Sequence, residues 1–380
     1  MSLVHDTVRR LSDETRARAE STLLGEWGRT LSTDYPVLDE VPGFEELSPE
    51  RQVALADKLI AECIPVRIEP GELIVGSANY ALASYHQVPA LYQGKPLTTS
   101  VSHLTLGFDH ALKVGYKGLR EQILERLARG DFDERGIDLL ESMLVVLEGA
   151  SIFHARYLAA LDDLITGSKG SDRAHWQAVR EALAPVPENP PTNFREAVQA
   201  LWFLFAYQRA CGNWPGIGRV DEMLGGFLKA DLASEAITLE EARELLASMW
   251  IRGAEWTGSH DFGGSGDKQY YQNVVLGGID AEGNPVTNEV TWLLLDVVEE
   301  LRIADFPIAV RIREDSPEEL LRKIAAIQRL GSGTVAVYNE PFIINSMVNF
   351  GYRLEEARRF ANDGCWELQV PGRTYFAYRP

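Results

Sequence analysis

Between residues 272 and 338 short apolar runs alternate with amphipathic stretches, and this alternation restricts what the chain can fold into. Residues 272–276, 308–312 and 335–338 are rich in Val, Ile and Ala and read as strands. Residues 287–300 and 317–330 lie between them and repeat apolar side chains at helical spacing. Strand, helix, strand, helix predicts parallel β/α units, because a parallel strand is reached only through a crossover.

The rest of the chain reads mainly as helix. Leu3, Val4, Val8 and Leu11 form one apolar face, and residues 49–64 form another, opened by Ser48 as a cap with Pro49 in the first turn. Two short apolar runs around Glu69-Pro70-Gly71-Glu72 predict a hairpin over residues 66–76. Residues 80–110 are less periodic and read as loops, and 111–184 as helix throughout, with Leu139, Leu140, Met143, Leu144, Leu147 and Ile152 marking a buried stretch. The prolines of residues 184–191 break helix and mark a candidate linker. Thr192 or Asn193 then caps a helix running to Tyr207, whose Trp202, Phe203 and Phe205 read as core. Residues 212–219 read as loop, 220–232 and 239–250 as helices, the second capped by Thr238 with Glu241, and 354–362 as helix.

Composition excludes several classes. A net charge of -19 argues against non-specific nucleic-acid binding. No apolar run approaches the roughly 18 residues of a membrane span, and the first residues lack a basic segment followed by an apolar one, so neither membrane insertion nor secretion is expected. The 3 cysteines, Cys63, Cys211 and Cys365, are too far apart for a CxxC metal site or a disulfide framework. His86, His110 and His260 show no ligand spacing, so no metal is expected, and a reducing cytoplasm is the expected setting.

Asn362-Asp363-Gly364-Cys365-Trp366-Glu367 carries the most chemistry. A Cys and a Glu two residues apart, in a loop bounded by Gly and Pro, offer a sulfur centre and an acid/base group to one ligand. By residue type alone, a buried structural Cys beside a solvated Glu is the favoured reading of the pair. Gly263-Gly264-Ser265-Gly266 lacks a phosphate-binding pattern and reads as a mobile loop near the pocket. Cys63 and Cys211 read as structural.

Gly364-Cys365-Trp366-Glu367-Leu368 resembles the Gly-Cys-Val-Glu-Pro loop of glycyl radical enzymes of the pyruvate formate-lyase superfamily, departing from it at Trp366 and Leu368. Gly218-Arg219-Val220-Asp221, the run from Gln272 to Asp280, Thr287-Asn288-Glu289, Gly331-Ser332-Gly333 and Tyr338-Asn339-Glu340 follow in the family's order. Upstream, Pro70-Gly71-Glu72-Leu73 and Pro191-Thr192-Asn193-Phe194-Arg195 extend the likeness over roughly residues 45–380. The resemblance implies the first half of a β/α barrel with parallel strands, preceded and surrounded by helices: a mainly helical part over 1–190 and a half-barrel part over 191–380 holding the Cys loop.

By the same resemblance Cys365 is the thiyl residue, Glu367 the acid/base and His103 a substrate-binding residue; Asp109 near it, Ser265 in the glycine-rich loop, Trp366 and Tyr338 are further candidate substrate contacts. No directly bound cofactor is expected. The family's glycine loop, of Arg-Val-x-Gly-Tyr type, has no counterpart in the sequence. The resemblance therefore expects the glycyl radical on a second chain or a missing domain, installed by a radical S-adenosylmethionine activating enzyme with a 4Fe-4S cluster. Expected partners are that enzyme, a glycine-loop chain and a small organic substrate, and self-association is compatible. The expected activity is radical elimination at a C–O, C–N or C–C bond. Arylacetate decarboxylation is the alternative, and a non-catalytic scaffold or regulatory partner is the reading from another class. Gly364 stands where pyruvate formate-lyase has a second cysteine, which argues against pyruvate.

Overall fold

A computed structural model describes residues 8–28, 36–77, 88–97, 102–255, 257, 272–303, 306–331, 335–364 and 366–374. The chain opens with α1 (Asp13–Leu23), capped by Ser12, and α2 (Pro49–Cys63), whose cap is the Ser48 hydroxyl accepting from Arg51 N at 3.1 Å. A hairpin of β1 (Val88–Tyr92) and β2 (Lys95–Leu97) follows, then β3 (Ser102–Thr105). Strands thus occupy part of a region read as loop. Three long helices come next: α3 (Phe108–Ala128), α4 (Glu134–Gly167) and α5 (Gly170–Leu183).

The hairpin expected over residues 66–76 is not there; that segment holds no strand. Its polar backbone groups are met by side chains instead. The Gln199 carboxamide donates to Val75 O at 2.8 Å and accepts from Val75 N at 2.9 Å. Trp202 Nε1 donates to Gly76 O, and Ser77 N donates to the Tyr157 hydroxyl. Gln199 and Trp202 lie on α6 (Phe194–Ala210), which is apolar nearly all round and runs through the core, as such a pattern requires. The proline stretch before it is not a free linker. Gly115, at φ 67°, interrupts α3 and frees the amides of Tyr116 and Lys117, which donate to Pro187 O and Glu188 O. On α4, Leu147 is buried as expected, but Leu139 and Met143 are 46% and 44% exposed on the helix's outer side.

The rest of the chain builds the parallel sheet. β4 (Trp214–Gly216), β5 (Gly218–Arg219), α7 (Val220–Ala233), α8 (Leu239–Gly253), β6 (Val274–Gly277), α9 (Glu289–Leu301), β7 (Ile308–Ile312), α10 (Glu318–Gln328) and β8 (Val335–Asn339) follow in order. Strands β5-β6-β7-β8 pair in that order, all parallel, and β3 pairs with β4 separately. Thr238 forms the expected capping box at the start of α8. β6 and most of β7 are buried on both faces, as strands covered by crossover helices must be. Then come α11 (Glu340–Phe350), which the sequence reading missed, and α12 (Leu354–Arg358). The helix expected over 354–362 stops early, and β9 (Ala361–Asp363) and β10 (Glu367–Gln369) form a small antiparallel hairpin.

A buried ion pair ties that hairpin to the sheet. The fully buried Arg311, at the end of β7, pairs with Glu340 and donates to Arg358 O at 2.7 Å and Phe360 O at 3.0 Å. Its guanidinium also stacks on the Phe360 ring, 3.9 Å from the centroid. Glu340 in turn accepts from Ile279 N beyond β6. The chain leading into β9 is therefore fixed to the ends of three parallel units.

Candidate active site

The turn joining β9 and β10 contains Cys365, which lies outside the described residues; the residues on both sides of it are described. Asp363 and Glu367 stand opposite each other in the ladder. Between them the backbone turns left-handed twice, at Gly364 (φ 56°) and Trp366 (φ 80°). A bulky residue at such a φ is strained and persists only where its surroundings hold it. Here Tyr338 donates its hydroxyl to Trp366 O at 2.8 Å, and Asn273 Nδ2 donates to Gly364 O at 3.3 Å. Both carbonyls flanking Cys365 are thus fastened to the sheet.

Gly364 marks where the polar groups converge. A Cβ built there would overlap the His103 imidazole and lie 2.7 Å from Glu367 Oε2. Imidazole and carboxylate therefore face the same point, next in the chain to Cys365. Glu367 Oε2 is buried and has no hydrogen-bond partner among the described residues, an acceptor left open. His103, on β3, sits at φ 60°. Its segment is gripped by the hairpin: Gln369 Oε1 accepts from Thr105 N at 2.6 Å, Gln369 Nε2 donates to His103 O, and Gly372 N donates to Thr105 O at 3.0 Å.

Burial governs the electrostatics. It pushes the Asp363 carboxyl well above the ordinary carboxylate range; the amides of Gly364, Gly216 and Leu104 oppose the rise, and the Glu367 charge adds to it. The Tyr338 hydroxyl is likewise raised, first by burial and then by Glu367. Among the described residues no group of His, Cys, Asp and Glu is arranged to hold a metal.

Of the residues named from sequence, His103, Trp366, Glu367 and Tyr338 gather around Gly364. Asp109 does not join them. Its carboxylate pairs with Arg359 at 2.6 Å and lines a separate cavity of about 530 Å³ with Lys113, Arg219 and Glu222. Ser265, His86 and His260 lie outside the described residues. Cys211 is buried, whereas Cys63 is exposed at the end of α2. Sequence reasoning missed Asn273, Asp363 and Gln369. For Gln369 a signal existed, since it follows Glu367 by two residues and so shares its face of a strand.

A parallel β/α sheet with a Cys–Glu hairpin pinned against its strands defines a class, and the chain belongs to the pyruvate formate-lyase-like family, whose model matches residues 86–378. Isethionate sulfite-lyase of Oleidesulfovibrio alaskensis is 31% identical over 281 residues, covering 70% of this chain and 34% of the relative. The (2S)-3-sulfopropanediol dehydratase of Klebsiella oxytoca is 29% identical over 286 residues, 72% of this chain and 34% of the relative. The glycerol-bound B12-independent glycerol dehydratase of Clostridium butyricum superposes with a TM-score of 0.81 at 22% identity, over 97% of this chain and 56% of that one. The fold is thus that of part of the glycyl radical enzyme β/α barrel. The chain spans about a third of the length of these curated relatives.

Proposed function

We propose that this chain supplies Cys365 as the thiyl residue and Glu367 as the acid/base of a glycyl radical lyase that works by elimination on a small hydroxylated substrate. The observation that carries the reading is the convergence of the His103 imidazole and the open Glu367 carboxylate oxygen on Gly364, beside Cys365. The thiyl takes a hydrogen atom from the carbon bearing a hydroxyl, Glu367 takes that hydroxyl's proton, and the group on the neighbouring carbon departs. The hydrogen atom then returns from Cys365. His103 is placed to hold the substrate hydroxyl, with Tyr338 and Trp366 shaping the wall. Asp109 and Ser265 are further substrate contacts in this proposal, Asp109 reaching substrate only if it leaves Arg359.

Relatives named for releasing sulfite or water support elimination over arylacetate decarboxylation. A scaffold role leaves the strained Trp366 and the unpartnered Glu367 oxygen without a reason. The glycyl radical that starts the reaction is supplied from outside the residues described, through a radical S-adenosylmethionine activating enzyme. Among the described residues no helix is long and apolar enough to cross a membrane, and Cys63 and Cys211 are free; a reducing cytoplasm is the proposed setting.

The test is turnover of the activated assembly, this chain together with a glycine-loop portion, on isethionate, sulfopropanediol, glycerol, 1,2-propanediol, hydroxyproline and an arylacetate. Elimination from one of the hydroxylated compounds, lost in Cys365→Ala, is the expected result. Turnover of the arylacetate alone overturns it.

A further inference from the structure

We infer that Gln369 is a positioning residue that sets the orientation of His103 in the site. This rests on the functional reading of His103 given above.

Among the described residues the β3 strand pairs with β4 along one edge only. On the edge facing the Cys365 hairpin, successive strand groups point outward: His103 O, then Thr105 N and Thr105 O. An edge of this kind is normally met by another backbone. Here one side chain does that work. The Gln369 carboxamide presents an acceptor and a donor side by side, the same pair a peptide group presents. Its Oε1 takes the Thr105 amide at 2.6 Å while its Nε2 gives to His103 O. The side chain is buried, 4% exposed, so water is a poor substitute for either bond. The next arm of the hairpin continues the zipper with Gly372 N on Thr105 O. The other arm closes it from the far side, where Thr105 Oγ1 donates to Asn362 O at 3.3 Å.

His103 is held by such a clamp. At φ 60° it takes a left-handed backbone, a minority conformation even for histidine, which is among the non-glycine residues that reach it more readily. In that conformation the side chain leaves the strand toward Gly364, and the ring reaches the spot where a Cβ on Gly364 would stand. Relaxation of His103 to the extended region turns its Cβ away from the hairpin and withdraws the imidazole from Glu367. Gln369 bonds the carbonyl of His103 itself, so it acts on the residue whose backbone is strained. Glu367 and Gln369 are alternate residues of β10. One short strand thus carries the acid/base and the device that aligns its polar neighbour.

The experiment is a double-mutant cycle on the activated assembly, with kcat and KM measured for each form. Gln369→Leu is expected to lower kcat/KM by about 10- to 100-fold, the scale of a misplaced catalytic-site group. In a His103→Ala background the same change is expected to cost less than about twofold, because the residue it positions is gone. A glutamate offers a second arm. Gln369→Glu loses the donor while ionised and regains it when protonated, so its activity relative to wild type should climb as pH falls, which Gln369→Leu should not do. Multiplicative losses in the cycle, together with no pH recovery in Gln369→Glu, overturn the positioning role. If His103→Ala alone has no effect on turnover, the functional reading of His103 fails. The positioning is then decided by the crystal structure of Gln369→Leu: His103 leaving the left-handed region supports it, and His103 staying at positive φ refutes it.

Discussion

Gly364→Ala isolates the geometry beside Cys365 in one methyl group. Two costs are expected. The backbone stands at φ 56°, and a left-handed conformation costs an L-residue about 1–2 kcal/mol. The added carbon would also overlap the His103 ring and sit 2.7 Å from Glu367 Oε2, closer than real contacts allow. Forcing a methyl into a packed site typically costs a further 1–3 kcal/mol or so. Gly130→Ala is the matched control, since Gly130 has φ 65° with nothing within 4 Å of the built carbon. Urea unfolding should therefore show a loss of about 2–5 kcal/mol for Gly364→Ala and about 1–2 for Gly130→Ala. Turnover of the activated assembly should fall sharply only for the first. Equal losses for the two variants, with activity retained in both, would mean that imidazole and carboxylate do not meet at Gly364, and the site drawn from them would be wrong.

Glu367→Gln should leave substrate binding intact while lowering turnover by about 10²–10⁴-fold, the usual contribution of a general acid–base group; near-wild-type turnover removes Glu367 from the chemistry. Glu340→Leu should destabilise the fold by about 3–5 kcal/mol in urea unfolding, because it leaves the buried Arg311 without its counter-charge. Asp57 is buried beside Cys211, and burial raises its carboxyl from 3.8 to about 7, so the native state binds a proton that the unfolded chain has already lost. Stability conferred by that proton is present below pH ~4 and drains away as pH climbs toward ~7. Asp57→Asn should flatten part of that decline between pH 4.5 and 7.5; an unchanged slope by urea titration counts against it. Glu72, raised to about 7, Asp221, raised to about 6, and Asp363, raised in the same direction, should preserve the remainder.

The strands of the parallel sheet were legible because each is a continuous apolar run between amphipathic helices, and such runs are stable only when buried on both faces. Capping signals at Ser48, Asn193 and Thr238 were legible because a cap is a contact between residues three apart. The Cys365-Trp366-Glu367 stretch stood out as a local motif. Other features depended on partners far away in the chain. Residues 66–76 have the pattern of a hairpin, yet the Gln199 carboxamide, 124 positions from Val75, takes the place of a strand partner. The proline stretch looks like a linker until the amides released at Gly115 are found to need its carbonyls. Exposure of Leu139 and Met143 follows from which side of α4 meets α2 and α5, and helical spacing alone does not say which side that is. Within the site, the sequence offered a cysteine, a glutamate and a histidine; nothing local brings His103 to Gly364. That meeting is made by Gln369, 266 positions from His103, through two hydrogen bonds to the edge of β3. Propensity and spacing act over a few residues and determined the elements, whereas the order in which buried polar groups find partners is decided only when distant segments pack.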